Sequence, residues 1–486
     1  MIIPQTNFLA GANASVSPLL QPENSPTVLN GVNNAYELGA LLKDTGYSQV
    51  GDTLEAGKSI TGLYDFHQSP TTQKILATVN NAAGTNLVLA YNNAGTWTDI
   101  NIGSAWDAFE DCKVEMEGFI GYCFFVGYDS TDKVFLPVGS LTGTTFSTST
   151  NVTDMPQGKF IKRYRDRLYI AHCYYSGALY QYRVYYSSVP VAGAIEWTPA
   201  TDFLDVDFGR EITGMGTNWD RLVVFTEQTA HIYDQSIWKK LWDTGCTAHR
   251  TIVNKGPYMY WFDGDNAWRS SGGQPEPIGG PIVKFIKAGN PRNFFSCETD
   301  EEIRTYVGTI TVNGVQYTNC ELIFNIPTQS WRWREFYDNF TIYAPYNNGG
   351  KVYQYMGVDD GEVMCKGKYT DTTLISSDDG YDIAANFELP PIWLNSEKVK
   401  RLKKVTAIAN RAQGLNLQAR VVDRNIRMLT PYKPLGKLIK YINDFDVNVD
   451  NGVMIQIAGS ESSQLPYFSL LGLLYDIELY SNIPKK

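Results

Sequence analysis

Side-chain chemistry needs groups that can meet, and the groups best suited to it are sparse in this sequence. Its four histidines, His67, His172, His231 and His249, stand alone. No HExxH, no paired histidine ligands and no Ser/His/Asp set can be written around them. His172 and His231 sit in apolar stretches that read as strands, where core or interface packing is the expected role. Seven cysteines, at 112, 123, 173, 246, 297, 320 and 365, form no CxxC pair. Their odd number and irregular spacing speak against a zinc site or a disulfide framework and for a reducing compartment during folding.

Paired carboxylates occur three times, as Asp263/Asp265, Asp359/Asp360 and Asp378/Asp379. Two carboxyls can flank a sugar for glycoside hydrolysis, but all three pairs lie at Gly-rich turns, where Asp is a turn former first. Asp263-Gly-Asp265 also lacks the further ligands and closing Glu of a Ca²⁺ loop. GDTLEAGKS, Gly51 to Ser59, has five residues between its glycines where a phosphate loop has four, and no long helix follows. Ser376, Asp378 and Gly380 partly imitate an Asp-box turn, with Ile383 where an aromatic belongs. The expectation is no enzymatic activity, no metal and no cofactor.

The elements around these residues are strands. Of 486 residues, 43% are apolar, 13% aromatic and only 19% charged, which excludes a disordered chain or a coiled coil. Aromatic-rich stretches recur: KILATV from Lys74, FIGYCFFV from Phe119, RLYIAHC from Arg167, RLVVFTE from Arg221, YMYWFD from Tyr258, IRTYVGTI from Ile303 and KVYQYMG from Lys351. Successive starts lie 45, 48, 54, 37, 45 and 48 residues apart, a mean near 46. Several units close on a Trp-bearing strand, at Trp97, Trp197, Trp238 and Trp331. A sheet of that length cannot bury both faces alone and must stack on copies of itself. The fold class expected is all-β, a β-propeller of six or seven blades over residues 56–386; a run of β-sandwich domains would give similar punctuation.

Flanking it are an extended N-terminal arm, residues 1–55, with four prolines and little periodicity, and a C-terminal β-module, residues 387–486. The module opens with KVKRLKKVTAIANRAQGLNLQARVVDR, read as a basic strand pair turning at Gly414. Between Ser396 and Lys440 twelve Lys or Arg face two acids, so this stretch is +10 in a chain of net charge -10, and the rest is -20. An acidic body argues against tight nonspecific nucleic-acid binding. Lys398, Lys400, Arg401, Lys403 and Lys404 are candidates for a subunit or ring interface, the alternative being a solvated strand face. The N-terminus has neither a basic n-region nor an apolar h-region, and the longest apolar run, Tyr467 to Tyr475, is too short to span a bilayer. A soluble protein without an export or membrane address is expected.

Three stretches carry a resemblance. NNAYELGALLKDTGYSQVG (Asn33 to Gly51) is similar to the opening of bacteriophage tail propellers. NWDRLVVFTEQTAHIYD, GCTAHRTIV, GPYMYWFDGDNAWRS and PEPIGGPIVKFI together resemble the blade series of the packaged-DNA stabilisation and tail nozzle (tail tubular protein B-like) proteins of short-tailed phages. IFNIPTQSWRWREF resembles their strand pair with a short turn before Trp. The resemblance is densest over Gly209 to Phe336. It implies a structural virion protein, present in the host cytoplasm before assembly and in the tail afterwards. It implies a hexameric ring below the portal and adaptor proteins, with tail fibre or needle proteins beneath and double-stranded DNA passing non-specifically through the channel. It supplies no catalytic residues. The alternative is a carbohydrate-binding or receptor-binding tail propeller, or a glycan-active one, since exposed Trp and Tyr stack on sugar rings.

Overall fold

The computed structural model describes residues 2–6, 8–15, 25–34, 40–93, 95–129, 132–206, 210–218, 221–234, 237–366, 377–392, 399–411, 415–422, 432–437, 442–452, 454–463 and 469–480. Among these residues there is one α-helix, Val283–Ala288, besides three-residue 3₁₀ turns; the remaining regular structure is strand.

Seven up-and-down units follow one another. Their first strands are Ile60–Ser69, Lys113–Phe119, Gln157–Tyr164, Gly214–Asn218, Val253–Lys255, Phe295–Glu298 and Phe340–Asn348. Each packs beside the first strand of the next unit, and Phe340–Asn348 packs back against Ile60–Ser69, closing the ring. Five units are separate sheets, while the sixth and seventh are joined by short intervening strands into one 14-stranded sheet. By hydrogen bonding the ring is therefore six sheets, one of them double. The expected β-propeller of six or seven blades is the fold.

Packing explains the recurrence seen in the sequence. Every apolar stretch beginning near Lys74, Phe119, Arg167, Arg221, Tyr258, Ile303 and Lys351 is the second strand of a unit. Such a strand is covered on both faces by neighbouring units and so reads as a continuous apolar run. Leu76 and Ala77 show this: Leu76 joins the core shared with the second unit and Ala77 the core shared with the seventh. Of the closing tryptophans Trp97, Trp197 and Trp331 are buried and Trp238 is half-buried, with Trp97 donating Nε1–H to the Val50 carbonyl (2.9 Å) and Trp331 to that of Ile278 (2.7 Å).

Ring closure depends on the arm. Tyr47–Gln49 is the outermost strand of the seventh unit, antiparallel to Val363–Lys366, with Cys365 opposite Ser48. Tyr47 is fully buried, edge-on to Phe336 and Phe340, and donates its hydroxyl to Asp338 (2.6 Å). Farther upstream, Val28–Asn30 pairs with Tyr381–Glu388 and, in parallel, with Ser330–Glu335.

The C-terminal segment and the rest of the arm build a second unit, a sandwich. One sheet contains Val399–Arg411 between Ile442–Gly452 and Ser469–Tyr480, joined by arm strands Ile2–Thr6 and Leu41–Lys43. The opposing sheet pairs Met454–Ser463 with Asn416–Val422 and with Tyr381–Glu388. Their inner faces, including Leu402, Val405, Leu417, Val421, Ile457 and Tyr475, form one core that continues to Trp331 and Trp333 of the sixth unit. The reading of a basic strand pair turning at Gly414 is corrected here: the strands on either side of residues 412–414 belong to opposite sheets. Alternation reports which face of a strand is buried, not which strand lies beside it.

Candidate functional site

Three places combine charge with defined geometry. The first is the axis. The 3₁₀ turn His249–Thr251 precedes the fifth unit and sends Arg250 across the ring to the first two units. Its Nε donates to Glu115 Oε1 (2.8 Å), and its Nη2 to the carbonyls of Thr61 and Val114 (3.1 Å each). His249 rests against Phe160, ring centroids 4.5 Å apart, and its Nδ1 accepts from the Met215 amide (3.2 Å). Burial alone would raise the Glu115 pKa, but Arg250 and His249 outweigh it and hold the carboxyl at about 2. Arg250, His249 and Glu115 line two cavities, one of about 380 Å³ and one of about 440 Å³.

Lys113 reaches into the smaller cavity, where surrounding protein, together with Arg250 and Lys159, lowers its pKa to about 8. Lys159 pairs there with Glu211 (3.1 Å). His172 lies behind it at a bulge between Ala171 and Cys173, with a left-handed backbone (φ 53°). Burial, with Lys159 adding to it, pushes His172 down to about 4 although Glu211 is 3.3 Å from Nδ1.

The second place is a buried charge cluster joining arm, sixth unit and seventh unit. Asp44 Oδ2 is 3.1 Å from Arg332 Nη1, 3.1 Å from Lys366 Nζ, 3.6 Å from Arg334 Nη1 and 4.0 Å from Arg304 Nη2. Glu302 bridges Arg304 (2.5 Å) and Arg332 (2.6 Å), Glu321 binds Arg304 (2.8 Å), and Asp378 binds Arg334. Four cations thus meet four carboxylates. Burial opposes ionisation of Asp44, but Arg332, Lys366, Arg304 and Arg334 together hold its pKa well below the usual range. Asp378, which the sequence suggests is a plain turn residue, is a buried partner of Arg334. Asp263 does serve its turn, accepting from the amides of Asp265 (2.9 Å) and Asn266 (2.8 Å).

The third place holds the basic residues singled out from sequence. Lys398 lies outside the described residues, and of Lys400 only the backbone is described, opposite Gly452 and Leu479. The register shifts between Leu402 and Lys404, so Lys403 and Lys404 both turn outward while Leu402 and Val405 remain in the core. Lys404 pairs with Asp444 at 3.0 Å. Arg401 is half-buried in the same strand, opposite Glu478. The sequence reading missed that an acidic strand, carrying Asp444, Asp446 and Asp450, lies directly beside the basic one.

All seven cysteines are buried outside any disulfide, and burial pushes the Cys112 and Cys246 thiols up to about 12, far from a reactive thiolate at neutral pH. Among the described residues no His/Cys/Asp/Glu group is arranged to hold a metal, and no helix is long and apolar enough to cross a membrane.

No protein-family model and no curated protein matches the chain. Among solved structures it is similar to the AfRom2 CNH domain (9% identity, 67% of this chain, 100% of that one, TM-score 0.42). Another is the extracellular domain of a hybrid two-component system of B. thetaiotaomicron (7% identity, 68% of this chain, 40% of that one, TM-score 0.41). A third is the Neurospora crassa Pan2 WD40 domain (6% identity, 68% of this chain, 97% of that one, TM-score 0.39). The propeller assignment rests on the sheet order and ring closure described above.

Proposed function

We propose that the chain is a structural virion protein of a bacteriophage tail, a nozzle or stopper subunit in a hexameric ring beneath the portal and adaptor. The observation that supports this reading most is the buried cluster around Asp44, which fastens the arm to the sixth and seventh propeller units. A subunit that withstands the pressure of packaged DNA needs its last unit held shut, and a three-residue closing strand alone would fray. In this reading DNA passes along the ring axis between subunits, and the contacts of Arg250 across the propeller to Glu115, Thr61 and Val114 are compatible with that path. An acidic body suits such a conduit because it repels phosphate and lets the duplex slide.

In this reading the basic strand docks on acidic surface of a neighbouring copy or ring, and portal/adaptor and fibre or needle proteins contact the two ends. Light scattering after size exclusion tests the stoichiometry. Assembled protein at six times 54.5 kDa supports it, and a monomer at every concentration, alone and with its tail neighbours, counts against it.

A further inference from the structure

The cavity of about 380 Å³ lies at the centre of the propeller: the first strands of the second, third, sixth and seventh units line it through Lys113, Lys159, Phe295 and Thr341. Lys113 stands directly opposite Tyr128 in the antiparallel pairing of Lys113–Phe119 with Tyr122–Asp129, so the two side chains leave the same face of the sheet side by side. Lys159 faces them from the third unit, its Nζ 4.2 Å from the centre of the Tyr128 ring. The neighbouring cations have their own carboxylates: Lys159 pairs with Glu211 (3.1 Å), Arg250 with Glu115 (2.8 Å) and Arg292 with Glu227. Lys113 is solvent-accessible, and neither its ammonium nor the Tyr128 hydroxyl makes an ion pair or hydrogen bond among the described residues. The proposed tail role uses neither group.

We propose that Lys113 and Tyr128 form a binding site for a small carboxylate or phosphate anion, whose oxygens accept from the ammonium and the phenol. Two adjacent donors without acceptors of their own, set beside Lys159 and Arg250 in a recess of the protein, favour negative charge, and hydrogen bonds to an ionised group are the stronger kind. Glu115 also attracts Lys113, but its Oε1 is already engaged by Arg250. Both donors keep their protons at neutral pH. Surrounding protein, with Arg250 and Lys159 adding to it, brings Lys113 down only to about 8, while burial, with Glu211 and Asp129, raises Tyr128. Size narrows the ligand further. Small-molecule sites span roughly 300–1,000 Å³, and this cavity falls at the lower end, which suits a compact anion and is too small for a nucleic-acid duplex or a folded chain.

The test is calorimetric titration of the purified full chain at neutral pH with acetate, succinate, inorganic phosphate and glycerol 3-phosphate, against succinamide, glycerol, chloride and a short DNA duplex. At least one of the four anions should bind about tenfold tighter than the neutral compounds and chloride, the value of one charged hydrogen bond, and the order among the four tells carboxylate from phosphate. Lys113→Met should weaken that binding about tenfold and Tyr128→Phe severalfold, with circular dichroism unchanged. Lys287→Met, which removes an exposed cation outside the cavity, should leave it as it was. If Lys113→Met does not fold, Tyr128→Phe and the comparison with neutral compounds still decide. No binding of any of the four anions to about 10 mM would overturn the proposal. So would equal affinity for chloride or the neutral compounds, indifference to Lys113→Met or Tyr128→Phe, an equal loss in Lys287→Met, or a duplex that binds as tightly through Lys113. The measurement needs no assembled tail, so its failure leaves the tail assignment standing and the converse also holds.

Discussion

Asp44 neutralises cations drawn from two propeller units. Removing one partner of a buried ion network leaves the others charged and dry, so Asp44→Ala should cost about 3–5 kcal/mol in denaturant unfolding. By contrast Lys404→Ala, which breaks the exposed pair with Asp444, should cost no more than about 1 kcal/mol. His172 gives a pH signature. Its folded value of about 4 lies below the ordinary 6.5, so between those pH values the unfolded chain takes up a proton that the folded chain refuses. Stability should therefore fall as pH drops through that window, and His172→Gln should flatten the slope there. Glu115 is the opposite type of group, a depressed carboxyl, whose contribution is whole above about 4.5 and is lost as pH falls toward 2. None of this was legible beforehand. Asp44 and Arg332 are 288 residues apart, and no local pattern marks a carboxylate whose partners arrive from another part of the chain.

At the scale of elements, the second strand of every propeller unit was readable because burial on both faces writes a long apolar run. The arm was not. Its closing strand, Tyr47–Gln49, has three residues, too few for a period, and its role is set by the neighbour it completes. The expectation is that Tyr47→Ala, by emptying a site between Phe336 and Phe340, costs about 3–5 kcal/mol and exposes the seventh unit to proteolysis. Sparse helix also follows from the element count: far-ultraviolet circular dichroism should show much less than the roughly one-third helix of an average globular protein. The C-terminal pairing was misread for a related reason. Leu402 to Ala409 and Leu415 to Val421 both alternate, but their inward faces meet across a sandwich instead of sharing one sheet.

At the scale of the whole molecule, a +10 stretch on a -20 remainder makes copies complementary in sign, and opposite potentials steer docking and fix register. Screening over about 8 Å at physiological salt makes single substitutions weak, so the informative variant reverses Lys400, Arg401, Lys403 and Lys404 to Glu together. It should remain folded but fail in ring or tail assembly, as read by particle yield. Normal assembly with loss of salt-sensitive retention on duplex DNA would instead place the strand on the channel wall. Negative-stain imaging of the purified and the virion-borne protein decides whether these subunits build a tail ring. A sixfold ring with an axial channel at the tail end of the particle is expected; isolated propellers in solution, with no density for the chain in the tail, would contradict it.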